Sequence, residues 1–188
     1  SNIMVNEISK YVPDGVTITT EVGQNQVWVA QSFALKDKQR IFFSGGHGAM
    51  GYSLPAALGL CAATQEKVIS FNGDGGIQMN IQELNTVKEN NLPIKIFVFN
   101  NHSLGMIRHF QEMYFNSDFV QTTSNTGYNT PDFQKIALAY DIPYVSIHNV
   151  KEIPLIEEYI LSDGACIIEV FVGDTTYVYP NLTMGRPI

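Results

Sequence analysis

Short apolar runs alternate with longer amphipathic stretches along the chain. Residues 16–21 (VTITTE) have the pattern of a strand and are followed by a helix over about 25–33. RIFFS (40–44) is a second strand, running into a glycine loop and then an Ala/Leu-rich helix over roughly 53–63. KVISFN (67–72) is the third strand, with a helix predicted over about 77–89. IKIFVFN (94–100) is the fourth and most apolar, and helices follow over 104–114 and over 132–140, the latter with Pro131 at its start. A fifth strand is predicted over 143–148, a helix over about 150–161 and a last strand over 165–172 (ACIIEVFV). Strands at this spacing, separated by helices, imply β-α-β units and a parallel sheet. Strands as apolar as IKIFVF imply that helices cover the sheet on both faces. Residues 116–130 are polar and rich in Gly, Asn and Thr, and predict a long loop of the kind that serves as a lid or binding segment.

A chain of 188 residues, 45% hydrophobic and only 15% charged, predicts one domain with a sizeable core. The net charge of −7, with no Lys/Arg run, excludes a nucleic-acid footprint, which needs a basic face. An acidic protein that binds a diphosphate must neutralise it locally, with a metal ion or backbone N–H groups. Cys61 and Cys166 lie far apart in apolar runs and read as buried free thiols, a usage that suits a reducing cytoplasm. No apolar stretch is long enough to predict a membrane span.

In open parallel sheets, ligands sit beyond the carboxyl ends of the strands. KVISFN ends in Gly73-Asp74-Gly75 and IKIFVFN ends in Asn100-Asn101, with 24 residues between Gly75 and Asn100. One right-handed crossover fits that gap and brings both strand ends to the same edge of the sheet. Asp74 and Asn101 would then converge. Such a point suits Mg²⁺, which takes six oxygens and keeps substrate phosphates and water in its shell. Asp74 offers a carboxylate oxygen, Asn101 an amide oxygen and the loop near Ser103 a carbonyl. The glycines around Asp74 would let backbone approach phosphate, and a helix beginning near Gly76 would aim its free N–H groups at that charge.

A rival lies nearby. Gly46-His47-Gly48-Ala49-Met50-Gly51 satisfies Gly-x-Gly-x-x-Gly, follows a strand and opens a helix, with Asp74 roughly 20 residues on, as in an NAD-binding Rossmann domain. Against it, Asp74 sits inside a glycine-rich turn that opens another helix, and the asparagine pair would have no task. His47 and His102 fall at the predicted crevice edge, as substrate contacts or as plain loop histidines. His109 and His148 read as structural. Glu83 reads as a surface or locally bonded residue, and Trp28 as core or interface.

The pairing of Gly-Asp-Gly with Asn-Asn is the fingerprint of thiamine diphosphate enzymes. The resemblance extends through GQNQVWVAQ (23–31), SGGHGAMGYSLPAALG (44–59), NGDGGIQMNIQELNTVKENNLPIKIFVFNN (72–101), SLGMIRHFQEMYF (103–115) and the tail YPNLTMGRPI (179–188). Together these resemble the carboxy-terminal, diphosphate-binding domain of the acetolactate synthase family. The resemblance implies a three-layer α/β sandwich around a six-stranded, mostly parallel sheet. It implies thiamine diphosphate and Mg²⁺ as cofactors, with Asp74, Asn101 and Ser103 as metal ligands. Gly23, Gln24 and Asn25 match a loop that touches the diphosphate, where the family often has His in place of Asn25. Gly75 and Gly76 flank the metal, Met50 matches the apolar residue that props the cofactor into its bent shape, and Gly48, Leu104, Gly105 and Met106 match further parts of the cavity.

By the same resemblance the whole enzyme decarboxylates a 2-keto acid such as pyruvate and ligates the product to a second carbonyl. The glutamate that activates the cofactor belongs to a pyrimidine-binding domain of the same or a neighbouring subunit. The chain has about a third of the family's usual length, so no catalytic residue is assigned to it, and it is expected to be a carboxy-terminal fragment, inactive alone. A homodimer or homotetramer is implied, and a flavin, where one is used, would lie on a domain outside this chain. One departure bears on substrate. Where the family carries a tryptophan governing the acceptor keto acid, this chain has Phe110, which opens the alternative of a carboligase or decarboxylase with a non-keto-acid acceptor. A non-catalytic cofactor-binding module is the alternative of another class.

Overall fold

Six short strands account for the centre of the molecule: β1 (Thr17–Thr20), β2 (Arg40–Phe43), β3 (Val68–Gly73), β4 (Ile94–Asn100), β5 (Tyr144–Ile147) and β6 (Cys166–Phe171). They form one sheet in the order β2-β1-β3-β4-β6-β5, every pair parallel. The computed structural model describes residues 1–180, so most of the family-like tail beginning at Tyr179 lies outside the described residues.

Side chains alternate across each strand, and the two faces build two separate cores. On one face, Ile18, Phe71, Phe97, Phe99 and Ile168 pack beneath α1 (Asn2–Tyr11) and α2 (Gln24–Ser32). On the other, Val68, Ile96, Val98 and Ile167 pack beneath α3 (Ser53–Thr64), α5 (Glu83–Glu89) and α7 (Phe133–Ala139). The three-layer arrangement read from the apolar strands is the one observed. Cys61 and Cys166 are both free and buried. Among the described residues no helix is long and apolar enough to cross a membrane.

Several details depart from the sequence reading, each for a local reason. Helix α1 was not predicted; it buries Met4, Val5 and Ile8, and Asn2 Nδ2 ties it to Gln31 Oε1 at 3.0 Å and Ser32 Oγ at 2.8 Å. The helix predicted over 77–89 starts earlier and is broken. It opens as α4 (Asp74–Ile77), tightens into a 3₁₀ turn over Gln78–Asn80 and resumes as α5. At the break, Asn80 Nδ2 reaches outward to the Gly51 carbonyl at 2.8 Å, a tertiary bond that fixes the turn. The helix predicted over 150–161 begins as a 3₁₀ helix, Val150–Ile156, around Pro154, and becomes α8 only at Glu157–Leu161.

Polar groups inside this core are chained rather than isolated. Thr19 Oγ1, Ser53 Oγ and Ser70 Oγ follow one another at 2.9 Å steps, and Asn72 Nδ2 joins Ser70 Oγ at 3.0 Å. Lys95, in the strand that reads as the most apolar, is fully buried; its ammonium donates to Ser162 Oγ at 2.7 Å and to the Gly164 carbonyl.

The strand order decides where a ligand can sit. From β1 the chain steps outward to β2, then crosses back past β1 to β3. Successive crossovers therefore leave in opposite directions at the β1/β3 boundary, and the loops that follow these two strands open a crevice there.

Candidate functional site

At the end of β3, Asp74 opens α4 with only 3% of its surface exposed. Its Oδ1 accepts the Gly75 amide at 2.9 Å, while Oδ2 is buried without a partner. Strand β4 lies alongside, with Gly73 opposite Phe99, so its end delivers Asn100 and Asn101 to the same rim. The two asparagines do different things. Asn100 Nδ2 turns back to Glu169 Oε1 at 2.6 Å. Asn101 faces the crevice: its Oδ1 accepts the Ser103 amide at 3.1 Å and its Nδ2 donates to Gln24 Oε1 at 3.1 Å. His102, directly after them, takes the left-handed conformation, φ 51°, and lets the chain turn over the strand end.

These loops enclose a cavity of about 250 Å³. Gly23, Gln24 and Asn25 enter it from the N-terminus of α2, Met50 from the loop after β2, and Asp74, Gly75 and Gly76 from the β3 end. Asn101, Ser103, Leu104, Gly105 and Met106 enter from the β4 end and the first turn of α6 (Gly105–Tyr114). Two residues named from sequence stand elsewhere. Gly48 is not among the lining residues and faces Val22, whose Cγ2 lies 3.4 Å from where a Cβ would sit. Phe110 lies further along α6, 40% exposed, in a shallow apolar depression with Met106, Ile107, Gln111 and Phe115. Gly105 has a steric reason to be glycine: a Cβ there would lie 2.1 Å from Gln24 Oε1 and 2.5 Å from Asn101 Nδ2.

Other groups at or beside the cavity were given no site role from sequence. Trp28, read as core, lines the cavity from α2 and packs edge-on to Phe99. Glu21 follows β1 with no exposed surface, its carboxylate accepting the Gly73 and Gly51 amides at 2.7 and 2.5 Å. An acid following a strand on the ligand side of a parallel sheet was the signal available. Tyr128, from the long polar loop, brings its hydroxyl near Gly75 and Asp74. That loop is held to the site, since the Thr122 carbonyl accepts both Ser103 Oγ at 2.7 Å and the Leu104 amide at 3.0 Å.

Of the four histidines, His47 is exposed and the other three make local contacts. His109 stacks on Tyr177 at 4.2 Å and His148 on Phe171 at 4.4 Å, while His102 Nδ1 lies 2.9 Å from Thr130 Oγ1. The rival dinucleotide fingerprint follows β2, the edge strand, and its helix begins only at Ser53, past the last glycine.

Burial sets the electrostatics of the site. Burial pushes the Asp74 carboxyl up to about 7, opposed chiefly by the Gly75 amide. Burial likewise pushes Glu21 to about 7, against the Gly73 and Gly51 amides, with the Asp74 charge adding to the rise. Among the described residues no Lys or Arg forms an ion pair with either acid. Nor is there a group of three or more His, Cys, Asp or Glu side chains able to hold a metal, so an ion here would depend on one carboxylate, neutral oxygens and a ligand's own charge. Four buried, unpaired polar atoms belong to residues that line the cavity: the acceptor Asp74 Oδ2 and the donors Gln24 Nε2, Asn25 Nδ2 and Trp28 Nε1. Buried polar atoms are normally paired. An acceptor for a cation beside three donors for an anion fits a metal diphosphate.

Comparison with known proteins agrees with this geometry. The model of the thiamine pyrophosphate enzyme C-terminal TPP binding domain matches residues 21–170. The acetolactate synthase large subunit of Lactococcus lactis is 38% identical over 179 residues, covering 95% of this chain and 31% of that protein. The isozyme 2 large subunit of Escherichia coli is 34% identical over 185 residues, covering 97% of this chain and 33% of its own length. The probable acetolactate synthase large subunit of Methanocaldococcus jannaschii is 37% identical over 186 residues, 97% of this chain and 30% of that protein. The chain thus spans about a third of the length of these relatives. With a family match across most of its length and relatives of 34–38% identity, the chain belongs to the thiamine pyrophosphate enzyme family, as a C-terminal TPP-binding domain of the acetolactate synthase-like kind.

Proposed function

We propose that this chain holds the diphosphate of thiamine diphosphate together with Mg²⁺, as part of an acetolactate synthase-like enzyme. One observation carries the reading: a buried acceptor, Asp74 Oδ2, shares a single cavity with three unpaired buried donors on Gln24, Asn25 and Trp28. Asp74 and Asn101 supply side-chain oxygens to the metal and Ser103 a carbonyl. Gly75, Gly76 and Gly105 keep the approach free of side chains, and Gly23, Gln24 and Asn25 meet the diphosphate at the N-terminus of α2. Met50, reaching over Gly75 with its Cε 3.5 Å from the position of a Cβ there, is the apolar prop for the cofactor's bend. Leu104 and Met106 wall the cavity against water.

When bound, the cofactor supplies the electron sink for cleaving a 2-keto acid next to its carbonyl. This chain's residues position it, neutralise its charge and exclude solvent. The whole enzyme, in this reading, decarboxylates pyruvate or a related 2-keto acid and joins the product to a second carbonyl. A pyrimidine-binding domain, of the same or a neighbouring subunit in a homo-oligomer, supplies the activating glutamate. Phe110, in its open apolar depression, is the residue on which the alternative of a non-keto-acid acceptor rests.

Calorimetric titration of the chain with thiamine diphosphate, with and without Mg²⁺, tests the site. Metal-dependent binding that Asp74→Ala removes is the expected result. Binding of equal strength without metal, or undiminished in Asp74→Ala, would refute it.

A further inference from the structure

Glu21 has no role in the reading above, yet it is the most deeply buried acid at the cavity. Its carboxylate joins two loops that are far apart in sequence. Oε1 accepts the Gly73 amide at 2.7 Å and Oε2 the Gly51 amide at 2.5 Å. The first loop carries Asp74, Gly75 and Gly76; the second carries Met50. The grip on residue 51 is two-sided, because its carbonyl accepts Asn80 Nδ2 at 2.8 Å. Residue 51 also has to be glycine, with φ at 77° and a Cβ position only 2.6 Å from Asn80 Nδ2. The seat for the carboxylate is cut into the backbone of the other loop. A Cβ on Gly76 would lie 1.8 Å from Glu21 Oε1 and 2.3 Å from Oε2. That overlap is not relieved by a small swing, since the carboxylate has no exposed surface and both of its oxygens are engaged.

We infer that Glu21 is a positioning residue: a clamp that sets the spacing between the Met50 loop and the Asp74–Gly76 loop, and that requires glycine at position 76 as its counterpart. The inference rests on the cofactor reading for its purpose, though not for its geometry. Two consequences follow. A glutamine at 21 cannot serve both loops, because its single amide oxygen can take one amide while its NH₂ confronts the other. A shorter acid and a larger residue 76 compensate for each other: aspartate draws the carboxylate back by about one C–C bond, roughly 1.5 Å, and vacates the space that an alanine methyl needs.

A double-mutant cycle on the full chain tests this, with Glu21→Gln, Glu21→Asp, Gly76→Ala and the pair Glu21→Asp/Gly76→Ala. Thermal unfolding and Trp28 emission are followed first with chelator and no cofactor; Trp28 is the one tryptophan in the chain and lines the cavity. Calorimetry with thiamine diphosphate and Mg²⁺ follows. Without cofactor, the pair is expected to melt above Gly76→Ala alone and to recover the parent's Trp28 emission. Strictly additive singles would overturn the clamp whatever the cofactor does. With cofactor, Glu21→Gln is expected to lose at least tenfold in affinity, and the pair to bind at least threefold better than Gly76→Ala. Affinity of Glu21→Gln within twofold of the parent would overturn the positioning role. A parent that shows the cofactor-free coupling but binds no cofactor would leave the clamp standing and defeat the cofactor reading instead.

Discussion

Replacing Asp74 by asparagine should strengthen the empty fold and disable the site. In the metal-free protein the carboxyl is buried, half-partnered and pushed from 3.8 to about 7. Roughly three pH units at about 1.4 kcal/mol each put the cost of charging it in the fold at no more than about 4 kcal/mol. Asparagine keeps an acceptor for the Gly75 amide but puts an NH₂ with no acceptor where the unpartnered Oδ2 lay, which cuts the gain to about 2 kcal/mol. For a chain of this size that is a rise of about 4–8 °C in melting temperature. The sign with pH is fixed. Between pH 4 and 7 the folded wild type binds more protons at this position than the unfolded chain does. The contribution of Asp74 is therefore most favourable below pH 4 and declines as pH rises through 7, and the asparagine variant lacks this component. Urea unfolding in chelator should show the variant ahead at pH 8 and level with wild type at pH 4. Adding Mg²⁺ and thiamine diphosphate at 100 times the dissociation constant should stabilise wild type alone by about 2.7 kcal/mol and reverse the order. A gap that does not change between pH 4 and 8 would show that Asp74 is not the strained acid described. A variant that keeps metal-dependent binding would show that it is not the ligand.

Gly105→Ala places a methyl against Gln24 Oε1 and breaks its bond to Asn101; calorimetry should show about a tenfold loss in cofactor affinity, about 1.4 kcal/mol, and unchanged affinity would contradict the crowding. Lys95→Met removes a buried ammonium whose pKa burial lowers to about 8. The unfolded chain holds that proton up to about pH 10.5, so wild type should gain on the methionine variant between pH 8 and 10.5, by about 1–2 kcal/mol once solvent screening of the amine is allowed for, read by urea unfolding; a flat difference would place the ammonium in water. Ser53→Ala cuts the Thr19–Ser53–Ser70 chain and should cost about 1–2 kcal/mol in the same assay, and a neutral result would mean that the hydroxyls are satisfied another way.

How far the sequence reaches depends on whether a residue's setting is local. The six strands were legible because burial on two faces leaves little room for polar residues in strands such as IKIFVF. Asp74 and Asn101 were legible because each ends such a strand, and one crossover of known hand joins them. Lys95 escaped notice because a long apolar stem can lie in the core while its amine emerges at Ser162 and Gly164, a route that depends on a turn far along the chain. The break between α4 and α5 escaped for a similar reason, since Asn80 leaves the helix to hold the Gly51 carbonyl. Tyr128 sits in a loop with no periodicity to place it.

Glu21 is the instructive case. An acid after a strand normally reads as a solvated end. It is buried here because the topological switch between β1 and β3 brings two glycine loops to the end of β1, and Glu21 is the acceptor for an amide from each. The same crossing that opens the crevice for a ligand thus creates the need for an internal carboxylate beside it. An acid that follows the switch strand and lies in space against a Gly-Asp-Gly loop should be read as part of the site's framework.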